Sequence, residues 1–263
     1  MIAAVTGIMA YAGFVAFKGP DNNGDKEKLI LKAVLTMMQQ VHFKNPPLDD
    51  NFSHRLYDTY MDRLDGMKRF LIMEDLDLLD DYQDSLDDQI RTDDLKFFEI
   101  SYKLINNSIE KTRKWYPELL SQPFDFTIKD SIETDGEKRS YAKDDAELKE
   151  FWRSYLKYET LTRLSDKIKE QETATEVPEG GKKSVAELEA DARKDVLEVF
   201  DEWYERMDKV RRSDRFEMYV NSITNVYDPH SDYFNPKEKE DFDINMSGRL
   251  EGIGARLQME GDF

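Results

Sequence analysis

A change in hydrophobic period within Tyr227–Leu257 constrains the fold more than any other feature of this 263-residue sequence. Before this stretch, apolar residues recur every three or four positions, which indicates helices. Asp228-Pro229 predicts a helix end, because proline disfavours the α conformation in the residue before it. Asn235-Pro236 predicts a helix start, with an N-cap acceptor and then proline at the first helical position. We therefore expect a helical chain whose architecture changes within this stretch.

The residues after Asn235-Pro236 predict one more helix and then a strand. A short acidic helix is expected from Pro236 to about Ile244. The segment Arg249–Gln258 alternates roughly between polar and apolar residues, which is typical of a strand. Gly252 and Gly254 lie two positions apart within it, a spacing that suggests close approach of the backbone to another group.

Upstream of Tyr227 the spacing of apolar residues predicts an irregular all-α region without a fixed repeat. Asp49 or Asp50 is expected to cap the second helix, Thr92 the fourth, and Ser184 and Glu187 form a capping box. The inward stripes are expected to include Val41, Leu161, Val199 and Val210. Phe124–Ser140 is expected to be irregular, with short β pieces around Phe126–Ile128, and Thr173–Lys183 is expected to be a mobile loop. The predicted helices are Asp25–Phe43, Asp50–Leu64, Glu74–Ile90, Asp93–Tyr116 (loosening at Pro117), Asp145–Gln171, Ser184–Arg212 and Asp214–Tyr227.

Charge and cysteine content exclude several classes of protein. The formal net charge is −18, which argues against binding to nucleic acid, whose phosphates attract Lys and Arg. The same charge argues against an anionic membrane surface as the main partner. The sequence has no cysteine, so disulfides and thiolate metal sites are excluded.

The first 17 residues form an apolar segment, followed by a polar linker to Gly24. The segment is short for a membrane span, which needs about 20 residues. Ala10-Tyr11-Ala12 fits an A-x-A cleavage site, although the usual positive n-region is missing. We expect an export signal or an anchor, with the true start upstream of Met1; a buried N-terminal helix is the alternative.

Other candidate sites have simpler interpretations. The acidic run Glu74–Asp94 places carboxylates between leucines at helical spacing, which favours a solvated helix face over a calcium loop. His42, His54 and His230 lack a metal-ligand neighbour at i+3 or i+4, so we expect structural or surface roles, with His230 bonded into its turn. Ser231 is not expected to be a nucleophile, because that role needs a base held close in space by a third group. No metal and no cofactor is predicted.

Several motifs resemble one known family, the tail-specific proteases or C-terminal processing peptidases. The strongest are D-P-H-S-x-Y-F-x-P at Asp228–Pro236 and M-S-x-x-L-E-G-I-G-A-x-L-Q-M at Met246–Met259. Leu48–Asp65, Phe124–Thr127 and Ala146–Leu161 resemble that family's N-terminal helical domain, in the same order. The likeness extends from about Leu29 to Phe263.

The resemblance implies a mostly α fold: an irregular multi-helix domain followed by the first β-strand of a truncated PDZ domain. The implied divisions are a signal or anchor segment with its linker (1–24), a helical domain (25–226), a connector (227–247) and the start of the PDZ (248–263). A PDZ binds a peptide C-terminus as an added strand, with N–H groups of a loop holding the carboxylate. By resemblance, the substrate-binding residues here are Gly252, Ile253, Gly254, Ala255 and Leu257.

The resemblance also implies a function. The family cleaves proteins selected by an apolar C-terminal tail, using a serine nucleophile and a lysine base that lie beyond the PDZ. The chain is then the inactive N-terminal part of a periplasmic or inner-membrane-anchored endopeptidase of a Gram-negative bacterium. Its expected partners are protein substrates with apolar C-termini and an adaptor protein, with no nucleic acid and membrane contact only through residues 1–17. The alternative is a non-catalytic, membrane-tethered helical binding protein.

Overall fold

A computed structural model describes residues 23–174 and 181–247, and these residues are mostly helical. The helices in the described ranges are α1 (Asn23–Val41), α2 (Asp50–Asp65), α3 (Met73–Asp80), α4 (Leu86–Arg91), α5 (Lys96–Leu120), α6 (Asp145–Thr173), α7 (Val185–Asp208), α8 (Arg212–Tyr227) and α9 (Pro236–Ser247). The expected mostly α fold is therefore confirmed for this part of the chain. The predicted strand at Arg249–Gln258 lies outside the described residues.

Two helix starts that local sequence signals predicted, those of α2 and α7, are confirmed. The Asp49 side chain accepts the Phe52 N–H at 3.0 Å, and so caps α2. At α7, Ser184 accepts the Glu187 N–H while the Glu187 carboxylate accepts the Ser184 N–H, which completes the predicted capping box. The predicted irregular region Phe124–Ser140 contains no helix, and the short β pieces expected around Phe126–Ile128 are not formed. Just after this region, Ala142 forms an isolated parallel bridge with Ile72.

The single helix predicted for Glu74–Ile90 is wrong, because turns interrupt it between α3 and α4. Asp87 is buried, and its carboxylate accepts a hydrogen bond from the Ser53 hydroxyl of α2 at 2.8 Å. The Ser53 oxygen in turn accepts the Asp87 N–H at 2.8 Å. This pairing orients the start of α4 toward α2, and the intervening Asp and Ser residues favour turns over helix.

Both ends of α5 differ from the prediction. Thr92 does not cap α5; its hydroxyl bonds back to the Asp88 carbonyl at the end of α4. The buried side chain of Gln89 instead accepts the Phe97 N–H at 3.0 Å, and so serves the start of α5 from the preceding helix. At the other end α5 continues past Pro117 to Leu120. Proline has no backbone N–H, so the helix loses one hydrogen bond there, and the burial of Tyr116 and Leu120 offsets this loss.

Four residues expected in the core are exposed: Val41, Leu161, Val199 and Val210. Val41 is the last residue of α1, and Val210 lies beyond α7, which ends at Asp208 instead of the predicted Arg212. In α6 the buried row runs through Leu156, Thr160 and Leu164, so a threonine occupies the inward position beside Leu161. Periodicity predicts the direction of such a stripe better than its width.

The helices pack around a continuous core that includes two aromatic clusters. In the first, Trp152 of α6 is fully buried among Phe70, Phe200, Trp203 and Tyr204, and its indole N–H donates to the Arg69 carbonyl at 2.9 Å. This cluster holds α6 and α7 together. The second cluster joins α2, α5 and α8 through Tyr60, Phe97, Phe98 and Tyr219.

The position of α8 follows from its neighbours. It packs against α2 and α1, with further contacts to α5. The buried side chains of Phe216, Tyr219, Val220 and Ile223 form its inward face. The helix is thereby fixed along its length, and its remaining face is available to the segment that follows it.

Candidate functional site

The residues predicted to bind a peptide C-terminus, Gly252, Ile253, Gly254, Ala255 and Leu257, lie outside the described residues, so that site stays a prediction. The structure does describe the segment that leads to it. Between α8 and α9 the chain runs from Asp228 to Asn235, and we refer to these residues as the connector. The connector is the candidate functional site, because it sets where the chain goes after the helical region.

The start of the connector is a tight turn. The α8 helix ends at Tyr227, which confirms the stop predicted from Asp228-Pro229. The Asp228 carboxylate accepts the His230 N–H at 2.8 Å, and the Asp228 carbonyl accepts the Ser231 N–H at 3.0 Å. His230 thus contributes its backbone to the turn while its side chain is exposed. The turn reverses the chain so that it runs back along α8.

After the turn, side chains of α8 bind the backbone of the connector. The Asn225 carboxamide donates to the Ser231 carbonyl at 2.8 Å. One helical turn earlier, the Asn221 carboxamide accepts the Tyr233 N–H at 2.6 Å and donates to the Tyr233 carbonyl at 3.1 Å. Asn221 therefore pairs with Tyr233 as a neighbouring strand would, through one donor and one acceptor.

A third contact between α8 and the connector lies one helical turn closer to the start of α8. There, the Asn235 carboxamide donates to the Glu217 carboxylate at 2.7 Å. The helix positions 217, 221 and 225 are thus matched with the connector positions 235, 233 and 231. We call this arrangement the α8 ladder.

The α8 ladder works because two repeats nearly coincide. Four residues of an α-helix rise about 6 Å, and two residues of an extended chain span about 6.6 Å. Alternate connector residues therefore meet successive turns of α8. Burial follows the same alternation, since residues 231, 233 and 235 are half-buried, whereas Asp232 and Phe234 are exposed.

Helix α2 supports the α8 ladder from behind. The Arg63 guanidinium donates to the Asn225 side-chain oxygen and, at 3.4 Å, to the Ser222 hydroxyl. Because that oxygen is occupied, the Asn225 NH₂ group is directed at the connector. Arg55 donates to the Val226 carbonyl at 2.7 Å, which binds the last turn of α8 to α2.

The end of α1 also touches the connector. The His42 imidazole Nε2 lies 3.1 Å from the Ser231 hydroxyl, and its Nδ1 lies 2.6 Å from the Lys44 carbonyl. The His42 ring packs edge-on against Tyr227, which also contacts Phe52. Burial raises the pKa of Tyr227 to about 12, so this hydroxyl is neutral under ordinary conditions.

The pair of Ser231 and His42 has the spacing of a nucleophile and its base, yet its surroundings do not suit catalysis. The second ring nitrogen of His42 faces a backbone carbonyl and not a carboxylate. The backbone N–H groups of His230 and Ser231 both donate to Asp228, so neither is free to stabilise the oxyanion of a tetrahedral intermediate that forms when a serine attacks a substrate carbonyl. The geometry agrees with the structural role expected for His42, and the expectation that Ser231 is not a nucleophile stays a prediction.

Sequence reasoning located the connector but missed the residues that hold it. Asp228-Pro229 and Asn235-Pro236 are local signals, whereas His42 lies 189 positions before Ser231 in the sequence. The spacing of Asn221 and Asn225 by four places both on one helix face. Nothing in that spacing shows that an extended segment will return to them.

Two further observations concern the described residues only. They contain no group of three or more His, Asp or Glu side chains placed to hold a metal ion. Within the same ranges, no helix combines the length and the apolar character needed to cross a membrane.

Comparison with known proteins identifies the family. Residues 34–237 match the model of the tail-specific protease N-terminal domain. The chain is also similar to the tail-specific protease of Haemophilus influenzae, with 26% identity over 240 residues. The similar region covers 90% of this chain and 32% of that relative, so the chain spans about a third of the relative's length. From Val34, in α1, to Lys237, in α9, the helical region and the connector are those of this N-terminal domain, and the chain belongs to the tail-specific protease family.

Proposed function

We propose that this chain is the N-terminal part of a periplasmic serine endopeptidase that selects proteins by an apolar C-terminus. The helical region is the scaffold, and the connector presents a PDZ domain that begins at residue 248. In that domain, Gly252 to Ala255 supply the N–H donors for the peptide carboxylate, and Leu257 contributes to the apolar pocket. The catalytic Ser and Lys lie beyond Phe263.

One observation carries the proposal. The family match covers the helical region and ends at residue 237, two residues into α9, while the relative is about three times as long as the similar region. The proposed scaffold role is supported by the continuous core that holds α8 and by the contacts of α8 with the connector. The selection of apolar tails rests on the motif at Gly252–Ala255.

The first test concerns peptide selection. The protein encoded by the gene from Met1 through the residues that follow Phe263 is titrated with a peptide that has an apolar C-terminus, free or amidated. A hydrogen bond to a charged group contributes about 1.5–3 kcal/mol, so amidation should weaken binding roughly 10- to 100-fold. A third peptide that ends in aspartate controls for the apolar pocket and should also bind weakly. Equal binding of the free and amidated peptides would show that Gly252–Ala255 is not a carboxylate loop.

The second test concerns the 263-residue chain itself. It should not cleave casein, because the described residues offer one Ser–His contact and that contact lacks a carboxylate and free oxyanion donors. The Ser231→Ala variant is the matched control for contaminating proteases, since it removes only that hydroxyl. Cleavage that persists through repurification and disappears in Ser231→Ala would mean that Ser231 is a nucleophile and that the assignment of catalysis to later residues is wrong.

A further inference from the structure

We propose that Asn221 and Asn225 are positioning residues: they hold the connector against α8 and thereby fix the direction in which α9 and the chain beyond it leave the helical region. The consequence for proteolysis rests on the proposed function, whereas the mechanical role does not.

The polar contacts are suited to this role because the connector has little apolar attachment. Of residues 231–235, Asp232 and Phe234 are exposed. The Phe234 ring stacks on the Phe242 ring of α9, with ring centroids 5.5 Å apart, and not on the helical core. Tyr233 alone among these five residues packs against the core. Beside the contact of His42 with Ser231, the α8 ladder therefore supplies the polar contacts that select one path for the segment.

The two asparagines bind backbone N–H and carbonyl groups, which point to the same side of an extended chain only at alternate residues. Asn221 engages both the N–H and the carbonyl of Tyr233, so a shift of the connector by one residue would break both bonds. Asn225 binds the Ser231 carbonyl and also the Asp232 carboxylate at 3.1 Å. The backbone contacts therefore determine which face of the connector meets α8, and the contacts of the Asp232 and Asn235 side chains fix its register.

The asparagines are themselves held in place. Arg63 fixes the orientation of the Asn225 carboxamide from α2, and Asn221 lies in the middle of α8 between the buried residues Val220 and Ser222. A preorganised contact loses less conformational entropy when it forms, so it can keep a segment in a single path. The Phe234–Phe242 stack then transmits that path to α9.

The natural absence of cysteine allows a direct distance measurement. Spin labels are attached at Asp58→Cys, on an exposed position of α2, and at Met246→Cys, on an exposed position of α9. Pulsed electron double resonance on the 263-residue chain should give one narrow distance distribution. In the Asn221→Ala/Asn225→Ala variant, the width of that distribution should at least double.

Two controls separate positioning from general damage. A label pair at Asp58→Cys and Lys169→Cys, both within the helical region, should keep its distribution in the double variant. Asn107→Ala makes the same chemical change on an exposed position of α5, away from the connector, and should leave the α2–α9 distribution narrow. An unchanged α2–α9 distribution in the double variant would overturn the proposal.

Single variants keep the test valid if the double variant fails to fold. Asn221→Asp retains an acceptor for the Tyr233 N–H but loses the donor to the Tyr233 carbonyl. It should broaden the α2–α9 distribution to an intermediate width. No broadening in folded Asn221→Asp and folded Asn225→Ala would overturn the proposal equally.

The protein that continues past Phe263 tests the link to proteolysis. There, Asn221→Ala/Asn225→Ala should lower kcat for a tail-bearing substrate at least about tenfold while the Kd for the tail peptide stays within about twofold, because peptide capture is local and delivery depends on orientation. An unchanged kcat would show that Asn221 and Asn225 have no positioning role in catalysis. If the parent protein has no protease activity, the proposed function fails, while the spin-label result still decides the mechanical role.

Discussion

At the end of α2, the carboxylate of Asp65 organises the turn that follows. It accepts the backbone N–H groups of Arg69, Phe70 and Leu71 at 2.8, 3.0 and 2.9 Å. Within this turn Lys68 has a φ of 51°, in the left-handed region that costs most residues about 1–2 kcal/mol. The three hydrogen bonds hold the backbone in this conformation, and the turn delivers Phe70 to the cluster around Trp152.

Asp65→Ala should be strongly destabilising. It would leave three N–H groups without their acceptor, and each buried unsatisfied donor costs about 1–3 kcal/mol. Partial hydration and the removal of a buried charge offset some of this cost, so we expect a loss of at least about 2 kcal/mol in urea unfolding. Asp62→Ala is the matched control, because Asp62 is exposed on the same helix and should change stability by less than about 0.5 kcal/mol. Similar losses for the two variants would contradict this role of Asp65.

The same carboxyl group predicts a pH dependence. Burial raises the pKa of Asp65 from 3.8 to about 6, although the three N–H donors act in the opposite direction. Between these values the folded state binds more protons than the unfolded state, so the contribution of Asp65 to stability decreases as pH rises from about 4 to about 6. The stability difference between the parent and Asp65→Ala should therefore narrow over this range. A difference that stays constant or widens would show that the pKa is not raised.

At the scale of elements, the sequence correctly predicted those helix ends that depend on residues a few positions away. The caps at Asp49 and Ser184 bond to residues three positions away, and the stop at Asp228-Pro229 acts on its own helix. The errors arose where a distant residue decides the outcome. Within the predicted helix Glu74–Ile90, the start of α4 is oriented toward α2 by Ser53, which lies 34 positions before its partner Asp87. The candidate site shows the same division, because proline marked the connector, whereas its contacts come from α8 and from His42 at the end of α1, and α2 supports α8 from behind.

The connection between α6 and α7 should be the first place that trypsin cuts. Its described ends, Thr173–Ala174 and Gly181–Ser184, are exposed, and the sequence between them contains no large apolar residue except Val177. The Gln171 carboxamide holds the backbone of Lys183: it donates to the Lys183 carbonyl at 3.0 Å and accepts the Lys183 N–H at 2.7 Å. We expect the first cut after Lys182 or Lys183 in a time course analysed by mass spectrometry, and a faster cut in Gln171→Ala. A first cut within Asp191–Arg212 would contradict the stability of α7.

At the scale of the whole molecule, Arg212 at the start of α8 joins three helices. Its guanidinium binds the carboxylate of Glu27 of α1 at 2.9 and 2.6 Å and that of Glu99 of α5 at 2.9 and 2.5 Å. The two carboxylates raise the pKa of Arg212 further above its ordinary value. The cation also lies over the rings of Phe98 and Tyr102. One side chain therefore connects the first helix to the centre and to the end of the domain.

Arg212→Ala should destabilise the protein more than any change at its exposed partner. It would leave the Glu27 carboxylate, which is 8% exposed, without a counter-charge, and breaking a buried ion pair in this way costs about 3–5 kcal/mol. Glu99→Ala is the control, because that carboxylate is half exposed and exposed pairs contribute at most about 1 kcal/mol. Thermal unfolding should show a loss of several degrees for Arg212→Ala and little change for Glu99→Ala. Equal shifts in the unfolding temperature would mean that the buried pair of Arg212 and Glu27 contributes no more to stability than the exposed pair with Glu99.

The junction at Arg212 has a consequence for the order of events during synthesis. Glu27 and Arg212 are separated by 185 positions, and α2 likewise needs α8 to cover its apolar face. At about 5–20 residues per second, a ribosome takes roughly 10–40 s to make the chain between the two partners. Throughout that interval the nascent α1 and α2 have no α8 to close upon. The connector emerges immediately after α8, so the domain is completed at the moment when the segment that it directs leaves the ribosome.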